Sequence, residues 1–175
     1  MNGEALRLFF ALWPEAAVKA RLDAAAGRLH EQMGGVRMRP ETLHLTLVFV
    51  GELAPERLPE MQALAANIVV EKFEVLFDRA DCWRHNRIAH LGASQSPAAL
   101  LELVGQLESR MDRAGIRFDR RPYVPHITLL RKAECAAPDP APEPISWLAR
   151  DFVLLDSVSR TGEARYALRG RWPLL

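Results

Sequence analysis

The chain has 175 residues, of which 49% are apolar and 26% charged, with a formal net charge of +1 at pH 7. That length buries a core without help from metals or disulfides, and the composition is that of a globular chain rather than a disordered one. The charge balance excludes a global field that would announce nucleic acid, and no apolar run approaches a membrane span.

The chain opens on a buried strand, LRLFFALW at 6–13, too short an apolar run for a secretory signal and followed at once by Pro14. Pro14 starts a helix whose apolar positions are Val18, Leu22, Ala25 and Leu29, and Gly34-Gly35 stops it. TLHLTLVFVG at 42–51 reads as the next strand, and residues 54–69 as a second helix limited by Pro59. KFEVLFDRADCW at 72–83 and RIAHLGAS at 87–94 read as two strands of a hairpin. A third helix runs from Pro97 to Gly115, and HITLLR at 126–131 is a strand. Residues 133–146, rich in proline, form a loop, with 136–144 read as surface. Two closing strands, 151–160 and 164–174, form a hairpin across Thr161-Gly162-Glu163.

Hairpins mixed with helices, rather than strict βαβ alternation, predict an α+β fold with largely antiparallel sheet. Two cysteines without CxxC spacing, Cys82 and Cys135, suggest a reduced cytoplasmic protein with incidental thiols. From Arg110 to Lys132 the chain is basic (Arg110, Arg113, Arg117, Arg120, Arg121, Arg131, Lys132 against Asp112 and Asp119), which suits either an anionic ligand or a solvated helix end.

Two strands share an unusual arrangement. LHLTL carries His44 and Thr46; PHITL carries His126 and Thr128, 82 residues later. The chain holds only four threonines, and two of them stand two places after a histidine. Side chains alternate along a strand, so His44 and Thr46 share one face while Leu45, Leu47 and Phe49 take the other. The same holds for His126 and Thr128 against Ile127 and Leu129. Each pair follows a helix and a basic-to-proline lead-in, VRMRPETLHLTL and FDRRPYVPHITL. This predicts two lobes related by a pseudo-two-fold axis, each giving one strand to a shared cleft, within a single domain 1–175 of two interleaved lobes.

Two imidazoles and two hydroxyls converging on one spot suit a phosphodiester. A neutral imidazole removes a proton from the nucleophile, a charged one protonates the leaving oxygen, and the hydroxyls hold the non-bridging oxygens. A single histidine on a strand is ordinarily structural; it is the matched pair that points to chemistry. A zinc site needs a third or fourth ligand, and His30, His85 and His90 lie in unmatched contexts, so neither metal nor cofactor is expected.

These residues resemble the 2H phosphoesterase superfamily, named for paired His-x-Thr motifs, and within it the bacterial RNA 2',3'-cyclic phosphodiesterases, also called 2'-5' RNA ligases. RLFFAL, LHLTLVFVGE, RPYVPHITLLR and RYALRGRWPL carry the resemblance across essentially the whole chain. It implies metal-independent opening of a 2',3'-cyclic phosphate on RNA ends, tRNA fragments among them, to leave a 2'-phosphate. It further implies His44 as proton donor and His126 as proton acceptor, and Thr46 and Thr128 as phosphate holders. Ligation through a 2'-5' bond is the reverse reaction. Arg131 matches a basic residue that often follows the second motif, yet strict alternation turns it away from His126 unless the strand bulges or ends there. A monomer that binds no membrane is expected. Two readings stay open beside this one: a phosphodiesterase acting on a 2'-5' oligonucleotide or small cyclic nucleotide, and a module that grips RNA ends without turning them over.

Overall fold

A computed structural model of the chain describes residues 4–158 and 162–175. In chain order its elements are β1 (Leu6–Leu12), α1 (Ala16–Met33), β2 (Val36–Arg37), β3 (Leu45–Leu53), α2 (Leu58–Ala66), β4 (Phe73–Phe77), β5 (Arg79–Trp83), β6 (Ile88–Gly92), α3 (Ala98–Arg113), β7 (His126–Arg131), β8 (Ile145–Ala149), β9 (Asp151–Ser157) and β10 (Tyr166–Pro173). One sheet has the order β10-β9-β1-β3, a second β2-β7-β6-β5, and β4 pairs with β8 alone; each of these pairings is antiparallel. The α+β bilobal architecture expected from the sequence is the one observed.

The two lobes are built alike. In the first, the central strand β1 leads into α1, and the chain returns as β3 antiparallel to β1. In the second, β6 leads into α3 and returns as β7 antiparallel to β6. The helices cross over: α1 packs on β7 and β8, whereas α3 packs on β3. Each lobe therefore lends its helix to the other. α1 buries Val18, Leu22, Ala25, Ala26, Leu29 and Met33, the stripe its sequence spacing predicts.

The core sets the register of the motif strands. Leu45, Ile127, Leu129 and Leu130 are fully buried. Burying each such side chain contributes about 1.5–3 kcal/mol. A slip of one residue would drive His126 and Thr128 into that core.

Four expectations need correction. Residues 72–83 are two strands, not one. The Asp78 carboxylate between them accepts hydrogen bonds from the Ser94 backbone and hydroxyl, and the chain switches sheets there. The segment read as loop up to 146 ends in a strand at Ile145, where Ile145, Trp147 and Ala149 turn inward against Phe77, Val75 and Phe73. The preceding prolines obscured it. Phe49 does not share the buried face of Leu45 and Leu47, for a reason given below. Cys82 and Cys135, expected as free thiols, form a disulfide with Cα atoms 5.4 Å apart. They lie 53 residues apart in sequence, so only the docking of the β5–β6 hairpin beside the exit of β7 brings them together. The closing β9–β10 hairpin is present, although Thr161 of its expected turn lies outside the described residues. No helix among the described residues is long and apolar enough to cross a membrane.

Candidate active site

The cleft forms where the open face of the first sheet meets β7. His44 stands one residue before β3, and the Thr42 backbone before it is fixed by the Thr42 hydroxyl, which donates to the Arg39 carbonyl at 2.8 Å. His44 Nδ1 lies 2.7 Å from the Thr42 carbonyl. A carbonyl only accepts, so Nδ1 carries the hydrogen and Nε2 is left to the cleft, where it meets the Thr46 hydroxyl at 3.1 Å. His126 repeats the device: its Nδ1 lies 2.8 Å from the carbonyl of Val124, again two residues back. Tyr123 braces the two motif segments, its hydroxyl donating to the Thr46 carbonyl at 3.0 Å.

All five residues singled out from the sequence line one cavity of about 480 Å³: His44, Thr46, His126, Thr128 and Arg131. A bulge explains Arg131. On β7, Thr128 faces His90 and Leu130 faces Ala89, so Leu129 has no partner on β6. The extra residue reverses the alternation, and Arg131 returns to the face of Thr128. On β3, Leu47 is bulged in the same way between Thr46 and Val48. Phe49, three residues after Thr46, thereby turns into the cleft just as Arg131 does three residues after Thr128. Of the basic block 110–132, Arg131 alone lines this cavity; Arg120 and Arg121 are paired with Asp112 and Asp119 instead.

Burial favours neutral imidazoles in the cleft. Burial above all, with smaller contributions from His126 and Arg131, lowers the His44 pKa to about 4, against the opposing pull of the Thr42 carbonyl. Burial likewise lowers His126, opposed by the Val124 carbonyl. Among the described residues no group of three or more His, Cys, Asp or Glu side chains is placed to hold a metal ion.

The chain matches the LigT-like phosphoesterase family model over residues 12–90 and 91–154. The chain belongs to this family. It is 34% identical to the RNA 2',3'-cyclic phosphodiesterase of Escherichia coli (strain K12), covering 98% of each chain. It is 29% identical to the protein of that name from Thermus thermophilus, over 87% of this chain and 82% of the relative. Among solved structures, Escherichia coli LigT complexed with 3'-AMP superposes with a TM-score of 0.88 at 34% identity, over 98% of this chain and 99% of that one.

Several cleft residues of this LigT-like phosphoesterase were not assigned to the site from the sequence, where Phe49 and Trp83 read as core or surface before they read as stacking surfaces for a base. His44 is enclosed by Phe9 (5.1 Å between ring centroids), Trp13 (5.7 Å, stacked) and Tyr166 (5.5 Å, edge-on). His126 meets Trp83 at 4.6 Å and His90 at 5.7 Å. Arg7 lies over the Phe49 ring at 5.4 Å. One signal was available for Phe9 and Trp13: Arg7, Phe9, Ala11 and Trp13 alternate along β1 and the residue after it, and Arg7 marks their face as the one reaching solvent within an apparently all-buried strand. His90 carried none, since its place opposite Thr128 is a fact of strand pairing.

Proposed function

We propose that the protein hydrolyses the 2',3'-cyclic phosphate at RNA ends to a 2'-phosphate. The observation that carries this reading is the pair of imidazoles, each fixed through Nδ1 by the carbonyl two residues back, on one cleft with two hydroxyls and a guanidinium. His126 Nε2 accepts a proton from water as the water oxygen bonds to phosphorus. His44 donates from Nε2 as the bond from phosphorus to the 3' oxygen breaks. Thr46, Thr128 and Arg131 hold the non-bridging oxygens. At the end His126 is protonated and His44 neutral; exchange with solvent resets both. An incoming 5'-hydroxyl in place of water takes the same path, losing its proton to His126 as the 3' oxygen leaves with one from His44, and joins ends through a 2'-5' bond.

The acid role of His44 requires a proton that burial of the imidazole disfavours. The substrate's negative charge answers this. A unit charge about 4 Å away contributes about 4 kcal/mol at an effective dielectric of 20, or about three pH units. That is enough to raise the His44 pKa from about 4 to near neutral pH, so that the imidazole holds the proton it donates.

The same reading takes residues 1–175 as one domain of two interleaved lobes, acting as a monomer in the cytoplasm. The exchange of α1 and α3 between the lobes supports the single domain. The Cys82–Cys135 bond is the feature that pulls against a reducing compartment, and alkylation of thiols trapped directly from cells reads which holds.

The test is incubation with a short RNA ending in a 2',3'-cyclic phosphate, in EDTA, with identification of the product. A 2'-phosphate, lost in His44→Ala and in His126→Ala, is the expected result. A 3'-phosphate would keep the two-histidine chemistry and overturn the leaving group. Tight binding without turnover would leave a binding module.

A further inference from the structure

A second cavity of about 450 Å³ adjoins the cleft along the open face of the first sheet and shares Thr42, Ala164 and Tyr166 with it. Its walls combine apolar and cationic groups. Trp13, whose ring is stacked on His44, lines it. Leu168, 55% exposed and without a packing role that would explain an apolar residue there, lines it too. Arg39, Arg165 and Arg171 bring three guanidiniums, against the single carboxylate of Glu41. Arg171 is held by both oxygens of Asp151 and serves as wall. Arg165 stands 3.9 Å from Glu163, as does Arg39, which also donates to the Ala164 carbonyl; both guanidiniums remain well exposed. Such pairs contribute little, so a phosphate can take these guanidiniums.

A third cavity leaves the cleft on the opposite side, past His126 and Trp83. Its charge is of the other kind: Arg121, already bound by Asp119, stands with Asp119 and Glu108. A polyanion therefore has one favourable way out of the cleft.

Polarity follows from the reaction proposed above, on which this inference rests. In-line attack by water activated at His126 puts the departing 3' oxygen, and the ribose that carries it, on the His44 side. The strand continues from the 5' oxygen of that ribose, and the cavity reached from the His44 side is the arginine-lined one. We propose that this cavity is an RNA-strand subsite, holding the nucleotide immediately 5' of the cyclic end: its base against Trp13 and Leu168, its phosphates on Arg39 and Arg165. Strand recognition is then separate from phosphate chemistry. A nucleoside cyclic phosphate fills the cleft alone, and an oligonucleotide fills both.

The experiment compares a mononucleotide and a dinucleotide, each ending in a 2'-phosphate, in calorimetric binding, and the corresponding cyclic phosphates in turnover. Stacking and phosphate contacts of this kind predict about tenfold tighter binding of the dinucleotide, and a similar gain in kcat/KM. The double variant Arg165→Gln/Leu168→Ser changes exposed side chains outside the catalytic cleft. It is expected to abolish the gain and to leave the mononucleotide unchanged, whereas Arg121→Gln on the opposite cavity keeps the gain. Equal binding of the two ligands by the native protein, a gain that survives the double variant, or a gain lost in Arg121→Gln would each overturn the subsite. A dinucleotide gain without turnover of either cyclic phosphate would sustain the subsite and defeat the proposed reaction.

Discussion

The two halves of the cleft have the same backbone and different side chains. Each presents a histidine locked through Nδ1 to the carbonyl two residues back, a threonine two residues on, a bulged leucine next, and a cleft-facing residue three places after the threonine. That last residue is Phe49 in one half and Arg131 in the other. The shells differ as well. His44 sits among Phe9, Trp13 and Tyr166, with a pKa lowered to about 4. His126 sits beside Trp83 and the polar His90. A duplicated template thus makes two equivalent positions, and substitution at matched positions makes them unequal. Acid–base chemistry needs that inequality, because two identical imidazoles would not sort themselves into donor and acceptor.

The largest effect that tests this division comes from the histidines. His44→Ala and His126→Ala are each expected to lower kcat about 10²- to 10⁴-fold, the range for losing one positioned proton transfer. With a substrate whose departing group is a good leaving group without protonation, a nitrophenyl ester, the two should part. His44→Ala recovers much of its activity, because no acid is needed, and His126→Ala does not. Recovery by His126→Ala instead would exchange the roles.

Next in size is the disulfide, which belongs to the second half alone. Cys82 adjoins Trp83, and Cys135 follows the end of β7 by four residues. Reduction, or Cys82→Ala/Cys135→Ala, is expected to lower stability by about 2–4 kcal/mol, read by urea unfolding. Loosening should show at the Trp83–His126 contact and not at Trp13–His44. Tryptophan fluorescence of Trp83→Phe and Trp13→Phe variants, each with and without reductant, separates the two.

The pH dependence of stability falls most heavily on the first half, since burial lowers His44 further than His126. His44 titrates at about 6.5 unfolded and about 4 folded. Between those values the unfolded chain binds more protons, so stability is fully present above pH 6.5 and falls as pH drops toward 4. From pH 7 to pH 5 the loss from this group is about 2 kcal/mol. His44→Gln should remove that part of the slope in urea titrations. An unchanged slope would mean that His44 is not held neutral by burial.

Legibility from sequence followed the same line between local and non-local information. Alternation is local, so the sharing of a face by His44 with Thr46, and by His126 with Thr128, could be read directly. The lobes were legible from the repeated lead-ins, and α1 from its apolar spacing. Bulges are properties of pairing, and nothing in LTLVF or ITLLR says that Leu47 and Leu129 go unpaired. For that reason Phe49 was assigned to the wrong face and Arg131 left undecided. Tyr166, His90 and the Cys82–Cys135 bond failed for the same reason, each depending on a strand placed beside a distant one. β8 was lost differently: four prolines at 138, 140, 142 and 144 end just before the strand begins.

The smallest predicted effect probes the matched pair of third positions. If the bulges exist to point these side chains at the substrate, each residue should matter for a different part of it. Arg131→Lys keeps the charge and loses the planar fork that meets two phosphate oxygens. About tenfold in kcat/KM is expected to go, and for nucleotide and non-nucleotide cyclic phosphates alike. Phe49→Leu keeps apolar bulk and loses a ring for stacking a base. Its expected cost is several-fold, confined to KM, and absent for a cyclic phosphate that carries no base. Equal losses on both substrates in both variants would mean that the two positions only shape the cleft. Losses that split by substrate would show that one backbone device, used twice, carries the reading of the phosphate in one half and of the base in the other.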